Sequence, residues 1–446
     1  MTQHTQTRFA RFAVIDAAGV YLADGGRMAL PTFQQLGYWL DAAQRRQIDT
    51  LWLHPSAPWR WRDADIDACT PWIVAGSAGG RIDGIEIGEP WWTATRSGVY
   101  GVRDVVQPRY EDRAPWRQTP DAPTLRASLL AFRDAVGIEW RRSPGATGTR
   151  LLRQLHSGKT ATKLELDGPP PPPAVEKLNR DGGHLDWTRP LAASERGLYL
   201  HSYDVNGQYL AACSSLPLGV GPWQHHSRVA LPEKPAEYLP GYYRVRVTEK
   251  PVSGPCPSLC AETLGWVTTP TLRLLREAGA QVHILECYTW FESKRYLEPW
   301  YKTLRDARAR LSGDASDPYA LDAVKGLYRH AIGWFGSETW DRSEDTLYRP
   351  DWAHQVRALA RANVLRTVYR VGANYGLWPL AVGSDCVYYL SDSPDALAAP
   401  YVSLIGGQGA AATDGVRVSR QLGHFKVKDA GVPVAELAPF LGGRHW

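Results

Sequence analysis

Five consecutive prolines, Pro169 to Pro173, restrict this chain more than any other stretch. Each fixes its own φ and lacks an N–H, so the run takes extended polyproline geometry and cannot lie inside a helix or a sheet. It separates an amino-terminal part from a longer second part, and 446 residues leave room for two or three packed domains. The sequence predicts a first domain over 1–165 and a proline-rich linker with a glycine-glycine turn over 166–195, ahead of a longer second part over 196–446.

The first part reads as α/β. Phe12 to Leu22 patterns as a strand ended by Gly25-Gly26, Leu36 to Arg46 as an amphipathic helix, and Thr50 to His54 as a short apolar strand stopped by Pro55. Ile73 to Ile87 has a hairpin-like alternation; Pro123 to Ile138 and Thr149 to His156 have helical spacing. The second part is mixed α+β. Leu198 to Val205 is an apolar strand with a carboxylate near its end. Thr269 as capping residue and Pro270 in the first turn open a helix that Gly279 ends, and the strand Val282 to Tyr288 follows. Glu292 to Leu311 and Tyr319 to Phe335 pattern as two basic helices, an αα-hairpin across Gly313 to Pro318. A third helix spans Asp351 to Val371. Leu377 to Leu390 is strand, turn and strand, with Gly383-Ser384-Asp385 at the turn.

Composition narrows the function classes. The charge sum is 51 − 46 = +5, carried by 41 arginines and only 10 lysines. That balance permits a basic groove for nucleic acid without arguing for one. No run approaches the ~18 to 20 apolar residues of a membrane helix, and Asp16 interrupts the only apolar stretch near the start. Six cysteines are too sparse for a disulfide framework, and Cys256 and Cys260 have no second pair at zinc spacing. The expectation is a cytoplasmic protein with reduced thiols. His225 and His226 are adjacent and would point opposite ways on a strand, so they are poor joint ligands; a surface loop is the expected home.

Three stretches carry the chemistry. They are Tyr203-Asp204-Val205-Asn206-Gly207-Gln208-Tyr209, running on to Leu216-Pro217-Leu218-Gly219; Lys325 to Phe335; and Val382-Gly383-Ser384-Asp385-Cys386. They supply a carboxylate at a strand end with an aromatic five residues on, a helical lysine, and a carboxylate in a hairpin. Two carboxylates on neighbouring strands can hold two divalent ions ~4 Å apart, which suits nucleotidyl transfer: one ion activates a hydroxyl and the other neutralises a triphosphate. A lysine on a helix can clamp the phosphates.

In these stretches the sequence resembles family B DNA polymerases, most closely their protein-primed branch. Asp204, Asn206 and Tyr209 match the first motif, Lys325 and Gly333 the second, and Asp385 the second carboxylate of the third. Gly182-Gly183 resembles the turn between the exonuclease and polymerase domains, and Leu422 to Lys426 the segment leading out of the palm. The resemblance covers roughly residues 180 to 430. It implies an RNase H-like amino-terminal domain, an antiparallel palm over 196–281 and 346–446, and fingers over 282–345. It also implies two Mg²⁺ or Mn²⁺ ions per site, with Asp204 and Asp385 catalytic and Val205 completing the metal ligands. Tyr209, Lys302, Arg305 and Lys325 would bind the nucleotide; Asn206, Gly182, Gly183, Arg329 and Gly333 would face template DNA. The implied partners are template and primer DNA, a deoxynucleoside triphosphate and a terminal priming protein, with no membrane.

The departures matter as much. Arg329 and Ile332 stand where the second motif has asparagine and tyrosine, and Gly383 replaces the first carboxylate of the third. The first strand, Val14-Ile15-Asp16-Ala17-Ala18-Gly19, lacks the glutamate of an exonuclease Asp-x-Glu, and Leu51 to Pro55 has no carboxylate. An exonuclease-like domain without proofreading is therefore expected. Few residues follow Lys428 to form a thumb, and 337–350 leave little room for a strand-displacing insertion. Two other readings stay open: a non-catalytic, polymerase-shaped protein that organises replication ends, and an unrelated hydrolase or binding domain.

Overall fold

Phe12, Ala13, Val14 and Ile15 are consecutive, apolar and buried, the signature of a strand covered on both faces and so placed inside a sheet. The computed structural model describes residues 12–29, 48, 50–54, 56, 73–76, 81–82, 85–86, 91–95, 104–106, 120–140, 144–156, 172, 186–227, 232–234, 237–249, 264–313, 317–336, 347–404 and 415–436. The expected helix at Leu36 to Arg46 and the Gly182-Gly183 turn lie outside them. Contacts divide the chain into two units, residues 1–164 with 302–347, and residues 165–301 with 348–446. In chain order the α-helices among the described residues are α1 (Ala122–Val136), α2 (Pro144–Leu155), α3 (Gln208–Ala212), α4 (Thr269–Glu277), α5 (Glu298–Leu311), α6 (Pro318–Phe335) and α7 (Pro350–Tyr375).

The first unit contains β1 (Phe12–Asp16), β2 (Gly19–Leu22), β3 (Arg27–Met28), β4 (Thr50–Leu53), β5 (Ile73–Gly76), β6 (Arg81–Ile82), β7 (Ile85–Glu86), β8 (Trp91–Thr95) and β9 (Asp104–Val106). Its sheet runs β3-β2-β1-β4-β9-β8-β5, with β1, β2 and β3 antiparallel and β1, β4 and β9 parallel. The single strand expected over Phe12 to Leu22 is a hairpin. Asp16 turns the chain by accepting bonds from the N–H groups of Ala18 and Gly19 at 2.7 and 3.0 Å. Helix α1 starts at its cap Asp121, whose carboxylate accepts from Thr124 N–H. Both α1 and α2 pack on α6, and Asp317, the cap of α6, also accepts a bond from Ser128 of α1.

The second unit contains β10 (Asp186–Thr188), β11 (Tyr199–Val205), β12 (Leu218–Gly219), β13 (Gln224–Ser227), β14 (Gly241–Glu249), β15 (Leu264–Thr268), β16 (Gln281–Thr289), β17 (Ser293–Lys294), β18 (Ala381–Gly383), β19 (Cys386–Ser391), β20 (Val402–Leu404), β21 (Val416–Val418) and β22 (Phe425–Pro433). Its larger sheet runs β10-β18-β19-β11-β22-β21-β20, antiparallel through its centre. A second sheet runs β13-β16-β14-β15. Tyr203, Val205, Val387 and Tyr389 share one core with Leu272 and Leu275 of α4 and Leu365 and Val368 of α7. Because side chains alternate along a strand, that packing turns Ser202 and Asp204 to the opposite face of β11.

Three local expectations are corrected. His225 and His226 lie on strand β13, not a loop, because β16 pairs with it, Tyr288 opposite His225 and Cys287 opposite His226. The helix expected from Glu292 starts at Glu298, because Ser293 and Lys294 pair with Gly219 and Leu218. Thr269 does not cap α4: the cap is Thr268, and the Thr269 hydroxyl donates to the Leu239 carbonyl while accepting from Gly241 N–H.

Candidate active site at two adjacent strand ends

Asp204 occupies the penultimate position of β11, between two antiparallel neighbours. On one side it stands opposite Cys386 of β19, and Val205 N–H donates to the Asp385 carbonyl at 3.0 Å. On the other side it stands opposite Lys426 of β22, and Asn206 N–H donates to the His424 carbonyl at 2.8 Å. The hairpin that carries Asp385 is thus tied by its backbone to the end of the strand that carries Asp204. Its turn residue Ser384 has φ 54°, a left-handed conformation that side chains disfavour.

After Asp204 the chain changes direction abruptly. Gly207 takes φ 53°, and its lack of a Cβ allows that left-handed step. The step converts β11 into the short helix α3, which carries half-buried Tyr209. Asn206 is buried, and its amide Nδ2 donates to the Ser419 carbonyl at 2.8 Å, so this side chain ties two segments of the sheet end together. The Val205 side chain belongs to the core. Only its backbone carbonyl is left as a donor to an ion.

Strand β22 carries three charged residues beside the end of β11, and one of them, Lys426, meets Asp204. Lys426 Nζ lies 2.7 Å from Asp204 Oδ2, the lysine side chain 53% exposed and the aspartate 18%. Val427 is opposite Tyr203 and Asp429 opposite Ser202, so Lys428 is the extra residue of a β-bulge. Bulges re-aim side chains in this way. Ser202 Oγ donates to Asp429 Oδ2 at 2.7 Å, and Asp429 N–H donates back to Ser202 Oγ at 2.9 Å. The charges of this face bear on its neutral groups. Burial pushes the Cys386 thiol up, and the charges of Asp204 and Asp385 push it further while Lys428 opposes them. Burial likewise raises the Tyr388 hydroxyl, helped by Asp429 and Asp204.

Two carboxylates and a backbone carbonyl are hard oxygen donors, the chemistry Mg²⁺ and Mn²⁺ prefer. Among the described residues no three His, Cys, Asp or Glu side chains gather to hold an ion alone.

The other expected nucleotide ligands stand on the first unit. Lys302 and Arg305 are exposed one turn apart on α5, Arg305 paired with Asp306 at 2.8 Å. Lys325 of α6 pairs with Asp322 at 3.0 Å, with Arg329 exposed one turn later and Gly333 another turn on. Sequence reasoning missed the part of Lys426, Asp429 and Ser202. The available signal was the alternation Phe425-Lys426-Val427-Lys428, which puts cations on one face of a strand.

No family model matches the chain, and no curated protein does. Among solved structures, Phi29 DNA polymerase complexed with primer-template DNA and incoming nucleotide substrates matches with TM-score 0.53 and 10% identity, over 92% of this chain and 81% of that one. The fold resembles that of Phi29 DNA polymerase. Its orthorhombic crystal form matches with TM-score 0.50 and 12% identity over 92% and 81%. Its binary complex with primer-template DNA matches with the same score and identity over 92% and 80%. At such identity the likeness to Phi29 DNA polymerase concerns the fold, a mixed α+β architecture with several sheets. No helix among the described residues is long and apolar enough to cross a membrane.

Proposed function

We propose that this protein is a template-directed DNA polymerase of the protein-primed family B type, acting by two-metal nucleotidyl transfer. The observation that carries this reading is the backbone bond from Val205 to Asp385. It holds two aspartates 181 positions apart in sequence (385 − 204) at neighbouring strand ends, with Asp204 on the sheet face away from the core. Divalent ions bound there would activate the attacking hydroxyl and neutralise the leaving phosphates. Asp204, Asp385 and the Val205 carbonyl would hold them, while Tyr209 would lie under the incoming sugar. Lys325, Lys302 and Arg305 are assigned to the triphosphate, and Arg329 and Gly333 to the template side, by motif order; Asn206, expected there too, is buried and bonded to the Ser419 carbonyl, so it shapes the sheet end instead. Primer-template DNA, a deoxynucleoside triphosphate and a terminal priming protein are the partners of this reading, and the cytoplasm its compartment.

The order β3-β2-β1-β4-β9 of the first unit, antiparallel on one side of β1 and parallel on the other, supports reading it as the RNase H-like exonuclease position. There Asp16 is engaged in its own turn, and His54 bonds Ser56 and the Pro120 carbonyl. A domain without proofreading fits those contacts.

The test is addition of one deoxynucleotide to a labelled primer-template in Mg²⁺ or Mn²⁺. Wild type should extend the primer, and Asp204→Asn should lose at least about a hundredfold in rate. Equal rates in the two proteins would defeat the proposal. Gly383 favours a second reading, a polymerase-shaped DNA-binding protein without catalysis. DNA binding with no incorporation in either metal would support that alternative.

A further inference from the structure

Lys426 meets Asp204 at 2.7 Å from the directly opposed position of β22. This is a register contact rather than a chance approach of two long side chains. Two observations mark it out. Lysine supplies only 10 of the chain's 51 cationic residues, yet both cations that β22 brings to this face, Lys426 and Lys428, are lysines. An ammonium on a flexible stem is a compact, strongly hydrated charge that can leave a carboxylate easily, whereas an arginine fork would hold it by two bonds. The exposures run the same way: a lysine 53% exposed against an aspartate 18% exposed can swing into water while the carboxylate stays.

We propose that Lys426 is a built-in counter-ion of this site, competing with a divalent ion for Asp204, so that ion entry requires the lysine to release the carboxylate. The inference rests on reading Asp204 and Asp385 as a divalent-ion site. It adds that the affinity of the site is set partly by a residue that binds no metal. Without Lys426, Asp204 would face Asp385 and Asp429 with less compensation. The sheet end would then be less stable by itself and more strongly stabilised by a divalent ion. Lys426 is a positioning residue, and its effect appears in ion binding before any chemistry.

The experiment measures Mn²⁺ binding to the whole chain from the loss of the free-ion signal in electron paramagnetic resonance, with the Mn²⁺-induced rise in melting temperature as a second readout. Lys426→Gln should bind Mn²⁺ about two- to tenfold more tightly than wild type and show the larger rise. Lys426→Arg, which keeps the charge, should bind no more tightly than wild type, and Asp204→Asn should lose the site. Lys426→Met serves where the glutamine variant does not fold. Equal or weaker Mn²⁺ binding by Lys426→Gln, beside measurable wild-type binding that Asp204→Asn removes, overturns the counter-ion while leaving the divalent site intact. Binding in none of the proteins overturns the site itself and the inference with it.

Discussion

Val205 and Asp385 are joined by a backbone hydrogen bond of 3.0 Å. Through it the tight turn after β18 is registered against the last residues of β11. A turn set this close to a strand end leaves the backbone of its second residue, Asp385, little freedom. The backbone positions of Asp204 and Asp385 are therefore set by the sheet itself.

That turn is strained at Ser384, whose φ of 54° costs about 1 kcal/mol for a residue with a Cβ. Ser384→Gly should stabilise the protein by about 0.5 to 1 kcal/mol. A urea melt checks it, and a destabilised variant would show that the serine side chain contributes more than its backbone costs.

His354 should give the protein an acid limb. It is buried against Tyr242, with Nδ1 2.9 Å from the phenol oxygen. Burial first, and then the charge of Arg357, hold it down from 6.5 to about 4, with Asp351 opposing. The native state stays neutral where the unfolded chain takes a proton, so stability falls as pH drops from 6.5 towards 4. The loss from this residue totals about 3 kcal/mol once pH is below both values. His354→Gln should flatten the dependence of the unfolding midpoint on pH across that window, and an unchanged slope would assign the limb elsewhere.

Gly219 is a close-approach position. A Cβ there would lie 2.3 Å from Cγ of buried Trp290. The Gly219 carbonyl accepts bonds from Arg349 Nη2 at 2.6 Å and Trp352 Nε1 at 3.0 Å, so the backbone has little freedom to retreat. Gly219→Ala should destabilise by about 2 kcal/mol through overpacking. Calorimetry should register this as a lowered melting temperature; an unaltered one would mean that Trp290 repacks freely.

The parts of the fold legible in the sequence were those fixed by local pattern. Leu198 to Val205 announces a strand through its apolar run, and β11 is found over Tyr199–Val205. Gly383-Ser384-Asp385 announces a turn, and β18 and β19 flank it. Most of what failed depended on distant partners. Nothing near Ser293 reveals that it pairs with Gly219, and nothing near His225 reveals Tyr288 across the sheet. The Asp16 turn escaped notice because it is closed by a side chain and has no Asn-Gly type pair. For the site, the pairing of Asp204 with Lys426 needs the register of β22, and the approach of Asp429 to Ser202 needs its bulge. Neither can be read from spacing along the chain.

The most direct test of the proposed cation site is a crystal soaked in Mn²⁺ and measured at a wavelength where manganese scatters anomalously. The account predicts an anomalous peak within ligand distance of both the Asp204 and Asp385 carboxylates. A peak touching only one of them, or none at that sheet end while DNA still binds, would contradict it.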